Sequence, residues 1–262
     1  MKKTISLAVL LCAAVLSSCG SEGVQSIAGP VQGARVKFFN FGVGAPGVYF
    51  YANETKMAAI APAGATTDAN GISTGGTESV TGTIYGGVSS GGFYATIVPG
   101  AYTLKAKIAA TVDKDLVVSS LATTIADGKF YSFYMSGIYD GTAKTVESFI
   151  LEDAYPATVD WTQAYVRFVN AVSNSSPMTL YAKNTTTLAE VPVGAIVAYK
   201  AGGAFTAIPN GVYDLGTRVS GATTNTMSRT AVSFSAGRVY TITARGNILT
   251  TTTQLLDNTV NR

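Results

Sequence analysis

The sequence predicts an all-β protein: two consecutive β-sandwiches that follow a cleaved, lipid-accepting leader. Three observations carry this. A long match repeats at a fixed spacing, extended patterning runs through nearly every segment after the leader, and a charged-apolar-small sequence opens the chain.

The leader comes first. Lys2 and Lys3 precede an apolar run from Ile5 to Leu16, the charge and length expected of a secretory signal peptide over residues 1–18. A membrane-spanning helix needs roughly 20 apolar residues, and no later stretch supplies them without Gly, Thr or a charge. The run ends in Leu16-Ser17-Ser18-Cys19-Gly20, which resembles the lipobox of bacterial lipoproteins. That resemblance implies lipidation at Cys19, with palmitate among the acyl groups. Two or three acyl chains amount to lasting anchorage, at roughly 0.8 kcal/mol per buried CH₂. Gly20 stands where an Asp would favour inner-membrane retention, so the expected address is the cell envelope and its outer membrane. Residues 19–33 form a tether reaching roughly 45 Å when extended.

Removing Lys2 and Lys3 leaves 16 basic against 15 acidic residues, and charged residues are only 13% of the chain against a usual figure of about 25%. No nucleic-acid footprint is present. Cys12 departs with the leader and Cys19 takes lipid, so no thiol remains for a disulfide.

The repeat sets the domain boundaries. Ala34-Arg35-Val36-Lys37-Phe38-Phe39-Asn40 returns as Ala164-Tyr165-Val166-Arg167-Phe168-Val169-Asn170, a spacing of 130 that holds to Tyr51-Ala52 and Tyr181-Ala182. Ile97, Gly100, Tyr102 and Leu104 match Ile208, Gly211, Tyr213 and Leu215 at 111, and Gly128 and Tyr131 match Gly237 and Tyr240 at 109. Copy one (34–153) therefore carries 19 extra residues between Ala52 and Ile97 relative to copy two (164–262), and residues 154–163 link them. The copies are read as ending alike, in Ile150-Leu151-Glu152-Asp153 and Leu255-Leu256-Asp257-Asn258.

Local pattern gives strands. Val36, Phe38 and Asn40 fall on one face of an extended segment and Arg35, Lys37 and Phe39 on the other, with the basic side chains expected to point outward. Asn70-Gly71, Pro99-Gly100, Asp127-Gly128, Asp140-Gly141 and Asn210-Gly211 supply turn chemistry between apolar runs. Many short strands in units of roughly 100 residues favour sandwiches.

The opening Arg35-Val36-Lys37-Phe38-Phe39-Asn40 and its twin Tyr165-Val166-Arg167-Phe168-Val169-Asn170 are each followed by Pro46 or Pro177 and Tyr51 or Tyr181. With the Gly-x-Tyr segment of each copy, they resemble the bacterial domain of unknown function family numbered 4397. The resemblance covers about 34–153 and 164–258. It implies immunoglobulin-like sandwiches in secreted and lipid-anchored proteins, and brings no catalytic residues. Members commonly carry an Asp two positions before the Tyr of the second strand, where this chain has Tyr49 and Thr179.

The absence of His excludes Ser-His-Asp and Cys-His catalysis and imidazole metal sites. Asp113, Asp115, Glu147, Glu152 and Asp153 could supply an acid and a base, but Asp113-Lys114-Asp115 reads as a solvated turn and Glu152-Asp153 as a strand end. Asp68-Ala69-Asn70-Gly71 has oxygens at alternate positions yet lacks the remaining ligands of a calcium loop, and a hairpin turn explains it better. The expectation is a non-enzyme without metal or cofactor. Two roles stay open: a module binding a protein or glycan, or a structural spacer. The insertion near 61–92, with Asp68, Asn70, Glu78 and Tyr85, is the candidate binding loop. Trp161 and Tyr155 lie in the linker; Trp161 is expected to pack between the two sandwiches rather than to form a sugar-stacking platform.

Overall fold

A computed structural model describes residues 33–58, 66–67, 69–70, 73–74 and 79–261, and the signal peptide and Cys19 lie outside them. Among the described residues twenty strands run in chain order, beginning with β1 (Ala34–Val43), β2 (Val48–Ala52), β3 (Thr55–Ala58), β4 (Thr66–Thr67), β5 (Ser73–Thr74), β6 (Gly87–Val88), β7 (Ala95–Ile97), β8 (Gly100–Ile108), β9 (Val117–Ile125), β10 (Phe130–Asp140) and β11 (Thr145–Glu152). They continue as β12 (Gln163–Asn170), β13 (Met178–Asn184), β14 (Glu190–Val197), β15 (Ala201–Gly202), β16 (Thr206–Pro209), β17 (Gly211–Val219), β18 (Met227–Phe234), β19 (Val239–Asn247) and β20 (Thr250–Val260). The chain is all-β. Among the described residues no helix is long and apolar enough to cross a membrane.

These strands make two sandwiches with the same strand order. In the first, β11-β10-β1 plus β6 and β7 faces β3-β2-β8-β9; in the second, β20-β19-β12 plus β15 and β16 faces β14-β13-β17-β18. Each opening strand pairs in parallel with the penultimate one: Val36 lies opposite Tyr131, and Val166 opposite Tyr240. All other ladders are antiparallel. The cores hold what alternation places inward. In the first, Phe38 stacks on Phe50 at 5.2 Å and meets Phe133 at 5.8 Å; in the second, Phe168, Leu180, Leu215 and Ile242 take the interior. Each such side chain contributes about 1.5–3 kcal/mol by leaving water.

The repeated tyrosines are fasteners. Tyr102 Oη donates to Val98 O at 2.9 Å and Tyr213 Oη to Pro209 O at 2.7 Å, pinning the chain where it crosses between sheets. Tyr131 Oη accepts from Ala126 N at 3.2 Å and Tyr240 Oη from Ser235 N at 2.9 Å, across turns whose Gly128 and Gly237 sit at φ +67° and +70°. The side chains of Asn40 and Asn170 bracket the bend after each opening strand: each amide donates to a carbonyl across the bend, Thr83 O at 2.8 Å and Val197 O at 3.3 Å.

Two expectations need correcting. The backbone register makes Glu152 the partner of Tyr131 and Val260 the partner of Tyr240, so Asp153 corresponds to Asn261, not to Asn258. The insertion is also narrower than 61–92. β6 pairs with β1 as β15 pairs with β12, so the extra residues fall between β3 and β6. Within them β4 and β5 form a hairpin whose connection runs 68–72, longer than a two-residue Asn-Gly turn.

Residues 33–262 form one compact unit. The inner sheets, β11-β10-β1 and β20-β19-β12, pack on each other through a third apolar cluster of Phe39, Phe41, Tyr134, Phe149, Val169 and Ala171. Phe39 and Phe149 stack on either side of Tyr134 at 4.8 and 4.9 Å. The inner strands therefore have two buried faces. This corrects the outward placement of the basic residues: Lys37 and Arg167 point out of their own sandwiches and into the seam, where they are 1% and 3% exposed.

Candidate functional site

The seam carries a buried polar cluster because two strands that alternate core and seam positions each place a cation at the same register. Arg167 is bonded through all three of its nitrogens. Its guanidinium pairs with the Asp153 carboxylate, donates to Glu152 O at 3.1 Å, and donates through Nε to Thr241 Oγ1 at 2.9 Å. Asp153 also accepts from Ser132 Oγ at 2.8 Å and Tyr94 Oη at 2.5 Å, and Tyr94 shares a 2.5 Å hydrogen bond with Tyr155. Burial works against the Arg167 charge, but attractions led by Asp153 more than offset it and the guanidinium is held protonated. The phenols of Tyr94 and Tyr155 are pushed well up, first by burial and then by the Asp153 charge, and stay neutral donors.

Lys37 occupies the corresponding place in the other half and is poorly served. Its ammonium lies over the Tyr94 ring at 4.4 Å, as Arg167 lies over Phe205 at 4.8 Å. It donates to Val260 O at 3.4 Å, as Arg167 donates to Glu152 O. Where Arg167 meets a carboxylate, however, this half has Asn261, whose amide donates to Thr241 Oγ1 at 2.9 Å. Burial lowers the Lys37 pKa to about 8; the attraction of Asp153 works against that shift and the repulsion of Arg167 adds to it. A cleft of about 460 Å³ opens beside Lys37, lined by Phe93, Tyr94, Arg238, Val260 and Asn261.

Aromatic residues exchanged between the halves close the seam. Tyr85 Oη donates to Thr253 O at 2.7 Å and its ring takes Arg245 at 4.5 Å, while Arg245 pairs with Asp257 at 2.5 Å. Reciprocally, Tyr199 Oη donates to Glu147 at 2.7 Å, bonds Ser136 Oγ at 3.0 Å and meets Phe149 edge-on at 6.3 Å. Two hydroxyls at corresponding positions, Tyr134 Oη and Thr243 Oγ1, are buried near each other and make no hydrogen bond of ordinary length.

Of the candidate loop residues, Tyr85 is a seam contact and Asn70 sits in the β4–β5 turn; Asp68 and Glu78 lie outside the described residues, as does Cys19. Three of the carboxylates named as a possible acid and base each meet a separate lysine. Asp113 meets Lys144 at 2.7 Å, Glu152 meets Lys129 at 2.7 Å, Glu147 meets Lys200 at 3.3 Å, and Asp115 is in an exposed turn. Among the described residues no three His, Cys, Asp or Glu side chains gather as a metal site requires. Trp161 does not pack between the sandwiches: it is 76% exposed, over Gly237. Tyr155 fills that role instead, meeting Phe130 at 5.2 Å and Phe205 at 5.5 Å.

The sequence reading missed Lys37, Arg167, Asp153 and Asn261 as one cluster. The available signal was Phe39-Phe41 and Val169-Ala171, apolar residues on the face assigned to water.

The second sandwich is similar to a known family: the model described as Domain of unknown function (DUF4397) matches residues 164–262. A comparison with curated proteins found no match.

Proposed function

We propose that this chain is a non-catalytic lipoprotein of the cell envelope, anchored through acylated Cys19, in which two tandem immunoglobulin-like domains act as one binding module for a protein or glycan. The observation that carries the anchoring is Leu16-Ser17-Ser18-Cys19-Gly20 at the end of a short apolar run behind two lysines. The immunoglobulin-like reading is supported by strand order and by Tyr102 and Tyr213, whose hydroxyls bond backward to the backbone in the manner of a tyrosine corner. The tandem reading is supported by the shared registers of β1–β10 and β12–β19.

A binding role is favoured over a spacer by the cleft at the seam, since a spacer has no use for a poorly coordinated cation beside an open pocket. Anchoring is tested by Cys19→Ser in cells fed labelled palmitate. The wild type is expected to incorporate label and sediment with membranes; the variant is expected to stay unprocessed and unlabelled. Normal trimming and release of the variant would overturn the reading.

A further inference from the structure

The two cations of the seam are chemically unequal in a way that points outward. Arg167 has a carboxylate, a carbonyl and a hydroxyl around it; among the described residues the corresponding Lys37 has a long hydrogen bond to one carbonyl and no carboxylate, and the cleft lies beside it. Lys37 is 1% exposed, so solvent supplies little of what the ion lacks. A buried charge left in that condition is costly, and an anion that reaches it gains a charge-assisted hydrogen bond. Arg238 adds a second cation to the lining, and among the described residues it makes no ion pair. Phe93, 77% exposed, offers a ring face in the same lining.

We infer that this cleft binds a small ring-bearing carboxylate, its carboxyl group taking beside Lys37 the place that Asp153 takes beside Arg167, with Arg238 as second cation and the ring against Phe93. The volume of about 460 Å³ lies within the range of small-molecule sites and suits a body the size of one sugar or one aromatic ring. Among the described residues, the other charged and titratable groups facing Lys37 are Asp153, which attracts it, Arg167, which repels it, and the phenol of Tyr94, which stays neutral. The low proton affinity of Lys37 fits an ammonium awaiting an anion. This inference names a ligand class for the binding module proposed above and does not depend on lipidation.

The test uses the full chain, purified in detergent, titrated calorimetrically with glucuronate, benzoate and uncharged glucose at pH 7. Saturable binding of glucuronate or benzoate without binding of glucose is expected, and the better of the two identifies the ring as sugar or aromatic. Asn261→Asp should supply the carboxylate from within and lower affinity at least tenfold while the protein remains folded; Lys37→Met should do the same, and Arg238→Gln should weaken binding several-fold. In the wild type, saturation should also raise the Lys37 pKa, read from its side-chain NMR signals. No saturable binding of either acid, or equal affinity in Asn261→Asp, would overturn the inference while leaving the Cys19 result untouched.

Discussion

The Arg167 half and the Lys37 half of the seam occupy corresponding registers, yet one is a completed ion pair and the other an ion short of a partner. The strand registers correspond, and each cation has an aromatic ring beneath it and a backbone carbonyl beside it. At the counter-ion position they differ by one atom, oxygen in Asp153 against nitrogen in Asn261, and around it the cations and rings differ too, Arg167 over Phe205 against Lys37 over Tyr94. A buried charge is tolerated when its surroundings are arranged to receive it, and a similar fold with a slightly different neighbour leaves the same charge costly.

Breaking the completed half should have the largest effect. Asp153→Asn leaves Arg167 buried without its counter-ion and is expected to lower stability by about 3–5 kcal/mol in urea unfolding. If the loss is under about 1 kcal/mol, the two halves are not unequal in the way described.

Titrating the incomplete half should come next. Folded Lys37 has a pKa of about 8 against an ordinary 10.5, so the unfolded chain binds more protons between those values and stability rises with pH through that window. The full penalty, on the order of 3 kcal/mol, applies below about pH 8. From pH 7.5 to 9.5 the wild type should therefore gain about 2 kcal/mol relative to Lys37→Met, which lacks the titrating group. Parallel stability curves for the two proteins would show that Lys37 is not strained.

The smallest effect should come from Tyr134→Phe. Its hydroxyl is buried beside Ser132 and Thr243 with no hydrogen bond of ordinary length, so removing it should change stability by no more than about 1 kcal/mol. A larger loss would reveal a bond to the hydroxyl that the present geometry does not include.

Much of the fold was legible because period-2 alternation and turn residues are local signals. The strand pattern at Val36-Phe38, the repeat from Ala34 and Ala164, and the Asp127-Gly128 turn all describe what their own few residues do. The seam was not legible because burial of the second face of β1 depends on a sheet far away in sequence. Lys37 and Arg167 looked like solvent-facing charges, as such residues usually are. Trp161 looked like interface material for the matching reason, since large aromatics usually bury area, and here Tyr155 occupies that place between Phe130 and Phe205. The strand ends were misaligned because Asp257-Asn258 mimics Glu152-Asp153 in composition, whereas hydrogen-bond register equates Asp153 with Asn261.

The exchange of Tyr85 and Tyr199 is reciprocal, as contacts are across a two-fold axis in a symmetric dimer. Here both partners are carried on one polypeptide. Held in one chain, those surfaces meet at an effective concentration set by the linker, so the closure of the seam should not depend on how dilute the protein is.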